Sequence, residues 1–261
     1  MPVISVITPV RPDADAALLL EAFTSVAAQK LPAGWSWEWI VQLDGRTGGE
    51  AIRSLPRDSR VHIDRGRQGG AGVARTLGLA RAEGEVVRAL DADDLLTDGA
   101  LARDIETLEA HPGIAWCVSG CLDLLPDGAL VAGPYDPPEG ELLLRTLQES
   151  FAADAFPVVG THLAARTSLI RALGGWPAFP ALEALALVMF CAAVAPGRMI
   201  AQPGGVYRKH FAQTTARADY WNAAEFGTLR TAITSRVNAL QSQAWHWART
   251  DAKERTHESG S

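Results

Sequence analysis

The chain has 261 residues, 48% of them hydrophobic and 21% charged, enough apolar material for a full core in one large domain or two small ones. A net charge of −6 with no lysine–arginine block argues against a nucleic-acid or anionic-membrane binder. There is no apolar run of about 18 residues and no basic leader, so the expectation is a soluble, cytoplasmic chain without a transmembrane segment.

Residues 3–7 predict a strand that stops at Thr8-Pro9, and Leu19, Phe23 and Val26 mark one face of a helix beginning near Asp15. A second strand, 37–43, ends at Asp44-Gly45. In it Trp37 and Trp39 share a face with the preceding Trp35, a pattern that fits packing better than sugar stacking. A short helix at 50–55 leads to a strand at 60–64. The turn Gly66-Arg67-Gln68-Gly69-Gly70 then opens a helix over 71–82. Its glycine order fits neither the P-loop nor the dinucleotide fingerprint. The strand 85–90 runs into Asp91-Ala92-Asp93-Asp94, and Thr97 or Asp98 is the expected cap of a helix ending near Ala110. A strand at 113–119 follows.

The second half is less regular. Pro126-Asp127-Gly128 predicts a hairpin turn, 133–138 a loop, 139–149 a helix and 161–165 a strand. A further helix to Leu173 is stopped by Gly174-Gly175. Residues 181–195 are apolar all round and predict a buried helix, and 204–208 a short strand. From about Asp219, Phe226, Leu229, Ile233, Val237, Leu240 and Ala244 recur at steps of three and four, marking a long terminal helix. Cys117, Cys121 and Cys191 complete neither a disulfide framework nor a zinc set and read as buried thiols.

Alternation of strand and helix points to parallel βαβ units, whose ligands bind beyond the carboxyl ends of the strands. Thr8-Pro9, Asp44 and Asp91 all fall at such ends. Three carboxylates within Asp91–Asp94 concentrate charge that a divalent cation would neutralise, and hard cations prefer carboxylate oxygen. Such an ion can hold a diphosphate. Asp91 and Asp93, two apart, would point the same way on an extended chain. Helix capping by Asp94 and Asp98 is the plainer alternative.

With these residues in place, the chain resembles the family 2 glycosyltransferases of the GT-A fold over roughly residues 3–215. The likeness rests on Ser5-Val6-Ile7-Thr8-Pro9-Val10, on Trp39-Ile40-Val41-Gln42-Leu43-Asp44-Gly45 and on the stretch from Gly70 to Ala80. It continues with Leu90-Asp91-Ala92-Asp93-Asp94, Gly174-Gly175-Trp176 and Tyr207-Arg208-Lys209-His210. The resemblance implies a single α/β domain with a mostly parallel central sheet flanked by helices and a C-terminal helical extension. Residues 1–110 would bind the donor and 111–216 the acceptor; 217–250 would form the terminal helix and 251–261 a disordered tail. It also implies an inverting, metal-dependent transfer from a nucleotide-diphosphate sugar, UDP-linked, to an acceptor hydroxyl. Thr8 and Pro9 would border the nucleoside, Asp44 would accept from the base, Arg75 would lie near base or diphosphate, and Asp91 would contact the ribose. Asp93 would ligate Mn²⁺ or Mg²⁺, with His210 a further metal or phosphate contact.

Three positions depart from the family pattern. The Glu-Asp pair whose Asp is the usual base falls on Glu183-Ala184, which leaves Glu183 as the candidate base. Leu43 stands where an Asp often precedes the base-binding one, and Thr76 where Asn usually follows the Arg. Two rival expectations follow: a degenerate member that holds nucleotide-sugar without transferring it, and a sugar-nucleotidyltransferase. The latter would need a glycine-rich loop with Arg and Lys after the first strand, where Thr8-Pro9-Val10-Arg11-Pro12 stands instead. The terminal helix would pack on the domain or form a homodimer; the acceptor, small molecule, glycan or lipid-linked, is left open.

Overall fold

A computed structural model describes residues 1–133, 136–211, 213, 220 and 222–248. The N-terminal half alternates strongly: β1 (Val3–Val10), α1 (Ala16–Ala27), β2 (Ser36–Leu43), a 3₁₀ turn (Glu50–Ser54), β3 (Val61–Arg65), α2 (Ala71–Leu79), β4 (Val86–Ala89), β5 (Leu95–Leu96) and α3 (Ala100–Ala110). The second half comprises β6 (Trp116–Leu124), β7 (Leu130–Ala132), β8 (Gly140–Glu141), α4 (Leu144–Ala152), β9 (Leu163–Arg166), α5 (Thr167–Ala172), α6 (Glu183–Val194), β10 (Gly197–Arg208) and α7 (Ala223–Ser242).

One sheet runs β3-β2-β1-β4-β9-β6-β10-β5, with β7 against β6 and β8 against β10. The long registers are parallel: β1 with β2 and β4, β2 with β3, and β10 with β6. The short β9 joins the halves by pairing antiparallel with both β4 and β6. The expected halves therefore share one sheet. Helices cover both faces of it. Leu19, Val26, Leu101 and Ile105 of α1 and α3 pack with Val6, Trp39 and Val41 on one side. On the other, Leu79 and the apolar faces of α4 to α7 gather around Ile7, Ile40 and Trp116.

The local reasons are legible. Asp15 accepts the N–H groups of Ala17 (2.7 Å) and Leu18 (3.3 Å) and so starts α1. Nearly all of α6 is buried, as expected of a helix apolar all round. Leu229, Ile233 and Val237 of α7 are buried against the domain, so the terminal helix uses its apolar stripe within the chain. The expected tail, 251–261, lies outside the described residues.

Four expectations need correction. Residues 139–149 do not form one helix: Gly140 and Glu141 pair with β10, and α4 starts only at Leu144. Neither Thr97 nor Asp98 caps α3. Gly99, at φ +70°, precedes it, and the Thr97 hydroxyl instead donates to the Pro203 carbonyl at 2.6 Å. The final strand begins at Gly197, not 204, because residues 197–200 already pair in parallel with Trp116–Ser119 of β6; a side chain at Gly197 would collide with the Trp116 ring. Residues 91–94 form a turn, with the Asp94 N–H donating to the Asp91 carbonyl at 3.3 Å, so Asp91 and Asp93 do not share one face of an extended chain.

Candidate functional site

The carboxyl ends of β1, β2 and β4 bring Pro9, Asp44 and Asp91 to one rim of the sheet. Two of the expected donor contacts are already engaged. Thr8 is fully buried and its hydroxyl accepts the Trp39 indole N–H at 2.8 Å, so this strand end offers a ligand Pro9 rather than the Thr8 side chain. Asp44 accepts the backbone N–H groups of Gly69 at 2.7 Å and Gly70 at 3.0 Å. Its carboxylate therefore shapes the glycine-rich turn, and any base contact uses a remaining lone pair.

Arg75, from the middle of α2, is 1% exposed and does not reach a ligand directly. Its guanidinium fork holds two carboxylates: Nη1 donates to Glu183 Oε1 at 2.7 Å, and Nη2 donates to Asp91 Oδ1. Burial alone would lower the guanidinium pKa, but Asp91 and Glu183 together raise it above its ordinary value. Glu183 is thereby held on Arg75, 108 residues away in sequence, and so beside Asp91. The approach of α6 to α2 needs Gly72, where a Cβ would collide with the Pro177 carbonyl oxygen. Thr76, the other departure on α2, donates its hydroxyl to the Trp176 carbonyl at 2.9 Å and secures the same junction. Ala184 lies against Gly160, so a carboxylate at that position would face backbone.

The other end of the acidic turn meets β10. His210 Nε2 lies 2.9 Å from Asp93 Oδ2, and Arg208 donates its backbone N–H to Asp94 Oδ1 at 2.9 Å and its Nε–H to the Asp93 carbonyl at 3.0 Å. Asp94 is 2% exposed, and its Oδ2 has no hydrogen-bond partner. Burial, then the charges of Asp91 and Asp93, push its carboxyl well above the usual range. Asp94 is thus a tie to β10 rather than a helix cap.

Among the described residues no three His, Cys, Asp or Glu side chains converge as a ready metal cage. Asp93 and His210 do supply one oxygen and one nitrogen donor at the partly exposed edge of the turn. That set fits a small hard cation that completes its shell with water and phosphate oxygens.

Sequence reasoning missed two groups here. Arg208 ties the turn to β10 and also pairs with Glu21 of α1. Tyr220 stands beside Glu183, its phenol pushed up to about 12 by burial and then by that carboxylate's charge. The Tyr-Arg-x-His stretch was the signal for Arg208; nothing local marked Tyr220.

Residues 5–120 match the family model described as Glycosyl transferase family 2. That match takes in the strands and helices from β1 to β6 and covers less than half of the chain. Two curated relatives each align with a little under half of this chain. The O-antigen biosynthesis protein RfbC of Myxococcus xanthus is 34% identical over 119 residues, covering 44% of this chain and 9% of that protein. The protein y4gI of Sinorhizobium fredii is 35% identical over 116 residues, covering 42% of this chain and 12% of that one. The chain therefore spans about a tenth of the length of these relatives. Among solved structures, S. aureus TarS 1–349 in complex with UDP-GlcNAc superposes with a TM-score of 0.65 at 16% identity, covering 99% of this chain and 77% of that one. The UDP complex of the same protein gives 0.66 at 15% identity, covering 93% and 70%. At such identities the likeness establishes the glycosyltransferase fold across the second half as well. No described helix is long and apolar enough to cross a membrane.

Proposed function

We propose that this chain transfers a sugar from a UDP-linked donor to an acceptor hydroxyl by a single inverting displacement that depends on a divalent cation. One observation carries the reading: a buried guanidinium joins Asp91 to Glu183 while Asp93, two residues on, meets His210, all at the carboxyl rim of the parallel strands. Pro9 and the turn shaped by Asp44 border the nucleoside, and Asp91 takes the ribose. Asp93 and His210 hold Mn²⁺ or Mg²⁺, which when bound offsets the charge of the departing diphosphate. Glu183 spends one oxygen on Arg75; the other is left to accept the acceptor's proton, a role worth about 10²–10⁴-fold in rate. Its place at the first position of α6 points it at the helix's positive end as well as at Arg75.

Calorimetric titration of UDP with and without Mn²⁺ tests the donor end. Metal-dependent binding lost in Asp93→Asn is expected; equal metal-independent binding in both proteins removes the metal role. Glu183→Gln should lose most turnover with donor affinity little changed, and unchanged turnover clears Glu183.

A second reading has its own observation. Ala184 replaces the usual base and Glu183 is held in an ion pair, as befits a member that binds nucleotide-sugar without transferring it. Donor hydrolysis or transfer by the purified chain, abolished by Asp93→Ala, rejects that reading.

A further inference from the structure

Beneath the site lies a polar cluster that the proposed chemistry does not use. Arg88, three residues before Asp91, is 0% exposed. Its Nη1 donates to the His162 carbonyl at 2.5 Å and to the Ser119 hydroxyl at 3.2 Å, and lies 3.3 Å from Asp104 Oδ2. Its Nη2 donates to Ser119 Oγ at 3.2 Å and to the Gly204 carbonyl at 3.4 Å. One guanidinium therefore joins β4, α3, β6, the 3₁₀ turn Gly160–His162 and β10. Burying an ion pair is no efficient route to stability, since apolar replacements of equal volume often do as well. The gain is geometric: a planar fork fixes the angles and distances between the groups it bonds.

What it fixes is an irregular stretch of β10. Ile200 pairs with Ser119, Pro203 with Gly120 and Gly205 with Cys121. Residues 201 and 202, then 204, are thus extra relative to β6. An odd number of extra residues reverses which face each later side chain occupies. Arg103 holds the same stretch, its Nη2 donating to the Pro203 carbonyl at 2.7 Å, as does the Thr97 hydroxyl at 2.6 Å. Gly204 and Gly205 carry no side chain because Ser119 Oγ and the His162 ring fill that space. Five residues beyond Gly205 comes His210, at Asp93.

We infer that Arg88, seconded by Arg103, is a positioning residue: it pins the bulge at Pro203–Gly205 and so sets the register in which His210 reaches Asp93. The value of that register rests on the proposed metal role, but the contact itself does not.

The test is made first on the ligand-free full chain. With ¹⁵N-labelled histidine, the Nε2–H proton of His210 should give a slowly exchanging signal, absent in His210→Asn and Asp93→Asn. Arg88→Met should abolish it while the core methyl spectrum stays native. Arg88→Lys, which keeps the charge but not the fork, should fail to restore it. A native-like signal in folded Arg88→Met overturns the inference, as does its absence from the wild type. If Arg88→Met does not fold, Arg103→Gln decides: a weakened signal supports the role and an unchanged one overturns it. The second readout is Mn²⁺–UDP affinity. Arg88→Met and His210→Asn should each lose on the order of tenfold, and the double variant no more than either alone. Losses that multiply mark Arg88 as merely structural. Absence of any Mn²⁺–UDP binding in the wild type would count against the proposed function, while the proton signal would still judge the register.

Discussion

Replacing Arg75 by methionine removes the guanidinium from between Asp91 and Glu183 and keeps most of its bulk. Taking one partner from a buried ion pair typically costs about 3–5 kcal/mol, because the remaining charge stays desolvated. Here the Asp91 side chain is 25% exposed and that of Glu183 15%, so both can recover some hydration and the lower end applies, about 3 kcal/mol. For a chain of this size that corresponds to a melting point lower by roughly 6–12 °C. Arg75→Lys keeps the charge but cannot bond both carboxylates, so its loss should be intermediate. Urea denaturation of Arg75→Met, Glu183→Gln and the double variant supplies a cycle. The Glu183→Gln effect should shrink or reverse once Arg75 is gone. An Arg75→Met loss below about 1 kcal/mol with additive effects, the range of exposed pairs, would refute the view of Arg75 as the bridge between the halves.

Three further outcomes are expected. His162 is held neutral, its pKa lowered to about 3 from 6.5 by burial and then by Arg88. Between those values the unfolded chain binds the extra proton, so stability falls as pH falls, by about 2 kcal/mol from pH 6.5 to 5. His162→Gln should lose that slope when its denaturation midpoints are compared with wild type over this range. Asp94 and Asp104, raised by burial, act with the opposite sign in both proteins and cancel in the comparison. Gly72→Ala should destabilise by about 1–3 kcal/mol, since its methyl meets the Pro177 carbonyl oxygen, and melting curves indistinguishable from wild type would contradict that packing. Asp44→Ala leaves the Gly69 and Gly70 amides without their acceptor at a cost of about 2–3 kcal/mol. Asp44→Asn, keeping one acceptor oxygen, should lose about half as much by the same accounting. Hydrogen exchange at the two glycine amides reads the effect directly, and unchanged protection in Asp44→Ala would sink it.

The alternating first half was legible because β1, α1, β2 and α2 owe their form to local apolar patterns and to near-sequence signals such as the Asp15 cap. The strand ends followed from the βαβ order, which directs Pro9, Asp44 and Asp91 to one rim whatever the loops do. The second half was harder to read. β8 and β9 are short pieces defined by partners distant in sequence, and the start of β10 is set by its pairing with β6 from Trp116 onward.

The residue types along the chain thus determined the layered α/β architecture, the acidic turn and the likeness of residues 5–120 to the family 2 model, since each depends on neighbours within a few positions. Which of those charges meet was decided only in three dimensions. Arg75 bridges Asp91 to Glu183, and Arg88 anchors a bulge that aims His210 at Asp93. Contacts over such separations follow from helix packing and strand register, and neither leaves a periodic trace in sequence.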